Sequence, residues 1–346
     1  MQSLNVYANK IAELKKELGS KLVIMGHHYQ HDDVVAHVDM AGDSLQLAQM
    51  IDGIEAEHIV FCGVHFMAES ARLLAKPNQK VYLPDHGASC LMAEMVPAQL
   101  LDTVITKILA HGKKIVPLAY VNTSLAVKAI VGKHGGAVCT SSNAKKMLEW
   151  AYSQGDCVLF LPDRNLGNNV GNMLNVPQDK RYTLDVENLD FAAIDNASLL
   201  LWPGCCPIHE YFTLDHIAKM REAYPNAKIY VHPECPQEIV AKSDGAGSTS
   251  FLINVAEKAE AGSTIIIGTE VNLVQRLAKQ HKDRGVTVIP LFDAQCPDMA
   301  KITEALLCKT LEDIIVNKAI PVTIDNTMIE DGKKSLTRML EHCAKK

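Results

Sequence analysis

KLVIMGHHYQ at 21–30, KIVPLAYVNT at 114–123 and KIYVHPE at 228–234 share one pattern: a lysine, a short apolar run, then abrupt polarity. Runs of this kind that do not alternate with polar residues suit parallel strands covered on both faces, with the polar residues marking their carboxyl ends. After each, a small-residue turn enters a helix: AGDSLQLAQM at 41–50, CTSSNAKKMLEW at 139–150 and GSTSFLINVAE at 247–257. A further strand ends in FCGVHFMAES (61–70), FLPDRNLGNNV (160–170) and IIGTEVNLVQ (266–275), and a last one runs to a cysteine in LPDHGASC (83–90), LWPGCC (201–206) and LFDAQC (291–296). The same punctuation in the same order, three times over, is an internal repeat. The expected fold is α/β, built as three homologous αβα units with parallel sheets around a pseudo-threefold axis. The units span 1–97, 98–211 and 212–346, the last with a C-terminal helical tail.

Composition agrees with a folded chain of more than one domain. The 346 residues exceed what one core usually fills, and 48% hydrophobic against 21% charged residues excludes intrinsic disorder. The net charge of −6, with no Lys/Arg block, argues against a duplex nucleic-acid partner and for a small-molecule one. The start, MQSLNVYANKIAELKKELG, reads as a charged amphipathic helix rather than a signal peptide, and no apolar run approaches the ~18 residues of a membrane span, so a cytoplasmic protein without a membrane partner is expected.

In doubly wound sheets ligands bind at the carboxyl ends of the strands. If the three units turn these ends inward, Cys90, Cys206 and Cys296 converge. Disulfides do not explain ten cysteines in a reducing compartment, and no C-x-x-C occurs. Three convergent thiolates suit a [4Fe-4S] cluster with one open iron that acts as a Lewis acid. The other reading is three small buried hydrophobes. Cys205 adjoins Cys206, and spacing does not choose between them. Cys62, Cys139, Cys157, Cys235, Cys308 and Cys343 fall outside the shared position and read as core or surface thiols.

Ser44, Ser141, and Ser248 with Thr249 stand at helix starts, where hydroxyls either hold carboxylate or phosphate or simply cap the helix. No G-x-x-x-x-G-K-[ST] or G-x-G-x-x-G occurs, so nucleotide phosphate is not indicated. His27, Tyr29, Tyr120, Asn122, His232 and Glu234 end the first strand of each unit and suit hydrogen bonding and proton transfer to a polar acid. Glu234 is the leading general-base candidate, with an ionisation expected to be tuned toward neutrality. HHYQHDD at 27–33 offers a rival: a first-row metal site of a hydrolase. A non-enzymatic iron–sulfur sensor or carrier is a second rival, although it has no use for hydroxyl-lined helix starts.

Taken together, HHYQ (27–30), GDSL (42–45), CGVHFMAES (62–70), YVNT (120–123), TSSNA (140–144), PDRNLG (162–167), HPEC (232–235), GSTS (247–250) and GTE (268–270) stand in an order that resembles the quinolinate synthase family over nearly the whole chain. The resemblance implies cluster ligands at Cys90, Cys206 and Cys296, with Gly204 and His209 setting the register that selects Cys206. It implies substrate contacts at His27, Ser44, Tyr120, Val121, Asn122, Ser141, His232, Pro233, Glu234 and Thr249, and an active site at the interface the three units share. Glu234, Tyr120, His27 and Tyr29 are then the expected catalytic groups. The implied reaction condenses iminoaspartate with dihydroxyacetone phosphate, losing phosphate and two waters to give quinolinate for NAD biosynthesis. A transient contact with the L-aspartate oxidase or dehydrogenase that supplies iminoaspartate would follow. Ser89, Arg164 and the Asp of CPDM depart from the family's usual Gly, Lys and Asn without removing a matched ligand.

Overall fold

The structure, a computed structural model, describes residues 4–343 and contains three separate parallel sheets. The first holds β1 (Leu22–His27), β2 (Met40–Gly42), β3 (His58–Cys62) and β4 (Lys80–Tyr82) in the order β2-β1-β3-β4. The second holds β5 (Val116–Tyr120), β6 (Ala137–Cys139), β7 (Val158–Leu161), β8 (Arg181–Thr183) and β9 (Leu199–Leu201) in the order β6-β5-β7-β9-β8. The third holds β10 (Lys228–Val231), β11 (Gly245–Ala246), β12 (Thr264–Gly268) and β13 (Thr287–Pro290) in the order β11-β10-β12-β13. Every pairing is parallel. The α/β class and the repeat are therefore as the sequence implies: in each sheet the strand that opens the unit lies between the second and third.

Apolar character explains the strand positions. Every residue of β3, β5, β7 and β9 is buried, which a strand achieves only with helices on both faces. The strand β8 has no counterpart in the other sheets. It is the half-exposed edge of the second sheet, paired only with β9.

The last helices pack away from the third sheet. Glu304–Ile315 lies against the first helix, Leu4–Leu18, and Asn326–Cys343 lies along Leu125–Lys133 and β6. The second contact is close because both partners present glycine: a Cβ at Gly132 would run into the Asp331 carbonyl, and one at Gly332 would come 2.7 Å from Leu125 Cδ1. Two effects oppose each other in Gly132→Ala. Alanine is the better helix former by about 1 kcal/mol. Against that, the clash is with backbone, which cannot rotate away, and overpacking costs about 1–3 kcal/mol. The expected net result is a lowered denaturant midpoint; a raised midpoint would mean that the helices separate without penalty.

Candidate active site

Residues at the carboxyl ends of all three sheets line one cavity of about 260 Å³. His27 and Tyr29 come from the end of β1, Tyr120 and Asn122 from β5, and His232 and Glu234 from β10. Ser44, Ser141 and Thr249 enter from the helix starts, and Cys90, Cys206 and Cys296 from the loops beyond β4, β9 and β13. Val121 and Pro233 flank this set in the chain but do not line the cavity. Cys205 also lies outside it, beside Arg164 and Glu210, while Cys206 lies on the wall.

The two histidines are set alike. Tyr29 N–H donates to His27 Nδ1 at 3.2 Å, and Glu234 N–H donates to His232 Nδ1 at 3.4 Å. Burial pushes both imidazoles down to about 3, so both are neutral at ordinary pH. A neutral ring that accepts at Nδ1 carries its proton on Nε2, which makes each histidine an N–H donor.

Tyr120 Oη donates to Glu234 Oε1 at 2.5 Å, and His209 Nδ1 stands 2.7 Å from Glu234 Oε2, off the hydrogen-bonding line. Burial pushes the Glu234 carboxyl up, but His209, His232 and the Tyr120 hydroxyl outweigh it and hold the group well below the usual carboxylate range. Because His232 is itself neutral, His209 and Tyr120 carry that effect. The expectation of a carboxyl tuned toward neutrality is thus reversed: Glu234 is a firmly ionised carboxylate. Burial and the Glu234 charge push the Tyr120 phenol well above its ordinary value, so it is a donor throughout the physiological range.

The helix starts separate capping from binding. Asp43 caps Ser44–Met50 by accepting from Leu45 N and Gln46 N, and Ser248 caps Thr249–Glu257 by accepting from Phe251 N. Ser44 and Thr249 are therefore first-turn residues, not caps, and Ser248 is the cap. The other Asp43 oxygen accepts from Ser142 Oγ at 2.8 Å and Ser250 Oγ at 2.6 Å. One buried carboxylate thereby ties together the helix starts of all three sheets. Burial pushes it up, but these donors prevail and lower it below its ordinary range. Asn122 Oδ1 and Thr140 Oγ1 are buried without partners and belong to residues on the cavity wall, so their hydrogen-bonding capacity is free for a ligand.

The three cysteines are free thiols. Burial pushes Cys90 to about 12 and Cys296 to about 11, and raises Cys206 well above its ordinary value; Cys90 is raised further by Cys296, and Cys206 by Glu234 and Cys90. Buried thiols this reluctant to ionise become thiolates when a strong cation is bound among them. A soft sulfur donor set of this kind fits an iron–sulfur cluster. Among the described residues, the one group of His, Cys, Asp and Glu with ligand atoms close enough for a single ion is Cys206, His209 and Glu234. The groups of HHYQHDD diverge: His27 lines the cavity, while Asp32 pairs with Arg276 at 3.2 Å and Lys279 at 2.6 Å.

The sequence pattern of the family described as NadA, quinolinate synthetase A protein, matches residues 9–341. The chain belongs to the quinolinate synthetase A family. It is 43% identical over 338 residues to a quinolinate synthase of Bacillus cereus (strain Q1), covering 96% of this chain and 92% of that one. It is 42% identical over 346 residues to one from Anoxybacillus flavithermus, covering 98% and 94%. The apo-structure of D-lactate dehydrogenase from Escherichia coli gives a TM-score of only 0.23 at 11% identity, covering 93% of this chain and 96% of that one, too weak a likeness to bear on the fold. The chain is accordingly an enzyme of a family serving NAD biosynthesis. No helix among the described residues is long and apolar enough to cross a membrane.

Several residues of this quinolinate synthetase A site escape a strand-end reading. Asn165 Nδ2 donates to Glu234 O at 3.1 Å, and Asn169 Nδ2 to Pro233 O at 2.8 Å and Cys235 O at 2.9 Å, so the PDRNLG helix clamps the HPEC loop. Asp163 Oδ2 accepts from Cys206 N and steadies that loop. Thr269 Oγ1 bridges Tyr29 Oη at 2.8 Å and His209 Nε2 at 3.2 Å. Glu270 accepts from Asn272 N, and burial pushes its carboxyl up to about 7. The motifs containing these residues are visible in the sequence, but apart from Asn272 each partner lies in another unit or another segment.

Proposed function

We propose that the protein condenses iminoaspartate with dihydroxyacetone phosphate, releasing phosphate and two waters, to form quinolinate. One observation carries this reading: three free cysteines, two neutral histidine donors, an ionised carboxylate bound to a tyrosine, and ligand-free hydroxyl and amide groups all line a single cavity. Cys90, Cys206 and Cys296 would hold a [4Fe-4S] cluster, which when bound supplies a Lewis-acidic iron with an open position. His27 and His232 donate Nε2–H to substrate carboxylate or carbonyl oxygens. Ser44, Ser141, Asn122 and Thr249 position the carboxylates and the phosphate, with Asp43 fixing the spacing of the loops that carry them. Val121 and Pro233, which do not line the cavity, act on the substrate only by placing their neighbours Asn122 and Glu234. Tyr120 protonates a departing or enolate oxygen, and the ionised Glu234 receives protons and restores Tyr120. Tyr29 is a second donor, held by Thr249 and Thr269.

The test is anaerobic reconstitution with iron and sulfide, followed by assay for quinolinate and phosphate from the two substrates. Loading without quinolinate formation would favour a sensor or carrier, and one divalent ion without sulfide would favour a hydrolase. Alanine at Ser44, Ser141 or Thr249 is expected to raise KM with cluster content intact; wild-type affinity in all three variants would make these residues structural only. A stimulation of turnover by the L-aspartate oxidase or dehydrogenase would reveal the supplying partner.

A further inference from the structure

We propose that the protein, when it holds no cluster, takes up a single divalent transition ion of the Zn²⁺ type on Cys206 Sγ, His209 Nδ1 and Glu234 Oε2. The ligand atoms of these three residues lie within 4.8 Å of one another, and zinc bonds of about 2.0–2.3 Å set tetrahedral ligand atoms roughly 3.3–3.6 Å apart, so side-chain rotations that open the 2.7 Å Nδ1–Oε2 pair and draw the sulfur in complete the site. A sulfur, a nitrogen and an oxygen with a fourth position open is a donor set that borderline ions favour.

The outer contacts are already built. His209 Nε2 faces Thr269 Oγ1 at 3.2 Å, an outer partner for the ring's remaining proton once an ion takes Nδ1. That Nδ1 has no hydrogen bond, although the residue is only 2% exposed. The ring is held against His232 at a centroid distance of 4.6 Å. Tyr120 donates to Glu234 Oε1 and so leaves Oε2 for the ion. Binding replaces the Cys206 S–H bond by an S–metal bond and displaces the proton that His209 Nδ1 holds toward Glu234, both protons leaving to solvent with no change of oxidation state. Because this set uses Cys206 but neither Cys90 nor Cys296, the ion and the proposed cluster exclude each other. Only that exclusion rests on the cluster reading; the ion site stands on its own geometry.

The experiment titrates Co²⁺ anaerobically into reduced, chelator-stripped protein. The expected result is one equivalent bound, with thiolate-to-cobalt charge transfer and tetrahedral d–d bands, displaced by Zn²⁺. Cys206→Ser should lose the charge-transfer band, and His209→Gln should weaken binding severely. Thr269→Val should weaken it about 10-fold or more, the usual effect of removing an outer partner, and Thr269→Ser should restore it. Cys90→Ser and Cys296→Ser should bind as wild type. Loss of binding in either of those two, or spectra without thiolate character, overturns the proposal. Iron and sulfide loading of the wild type is measured separately, so normal loading beside a failed Co²⁺ titration defeats only the ion site.

Discussion

Cys206→Ser is expected to yield folded protein that cannot be reconstituted with iron and sulfide and makes no quinolinate, whereas Cys205→Ser loads and turns over. Serine keeps the shape of cysteine but offers a hard oxygen in place of soft sulfur. Only Cys206 faces the cavity; Cys205 sits against Arg164 and Glu210, and its backbone N–H approaches Met95 Sδ at 3.5 Å. The Cys206 loop is held from behind by Asp163, so rotation of the neighbouring cysteine into its place would break the 3.0 Å bond from Cys206 N. Measured iron, sulfide and visible absorbance decide the matter. Cluster loss confined to Cys205→Ser would reverse the assignment.

Glu234→Gln is expected to lower kcat by about 10²-fold or more with cluster content and KM nearly unchanged, the scale of one acid–base group. Glutamine can still accept the Tyr120 hydrogen bond, but it takes up no proton. Because the Glu234 carboxyl is held below the ordinary range, it is already deprotonated at neutral pH. Its proton-accepting form is lost only as pH falls through that low value. His27 and His232 remain neutral until the pH falls to about 3. An acid limb between pH 5 and 7 in the wild-type profile must therefore arise elsewhere. Near-normal turnover in Glu234→Gln would leave Glu234 as a positioning residue for Tyr120.

The repeat in the sequence was sufficient to find the sheets because it lies in local chemistry: apolar runs for the buried strands, polar residues at their ends, small residues at helix starts. Convergence of His27, Tyr120, Glu234 and the three cysteines followed from topology alone. The strand β8 left no such trace, since a half-exposed edge strand of three residues has neither a buried run nor a clear alternation. The Glu234 ionisation was misread because its decisive neighbours, His209 and Tyr120, reach it from other segments. GDSL marks a helix start with Ser44 as the expected cap; the cap is Asp43, and its bonds to Ser142 and Ser250 depend on how three distant turns meet. In the same way, the amphipathic pattern of 326–343 implies a buried face without saying which sheet covers it.

The docking of 326–343 onto Leu125–Lys133 has a bearing on biosynthesis. A growing polypeptide will have exposed the Leu125 and Gly132 face of Leu125–Lys133 for the roughly 200 further residues translated before its cover exists, some tens of seconds at bacterial elongation speeds of ~5–20 residues per second. Throughout that interval the nascent middle segment is a natural client for chaperones. Transcripts cut short between codons 300 and 325 should yield products that aggregate or are degraded, even though every cavity residue has already been made.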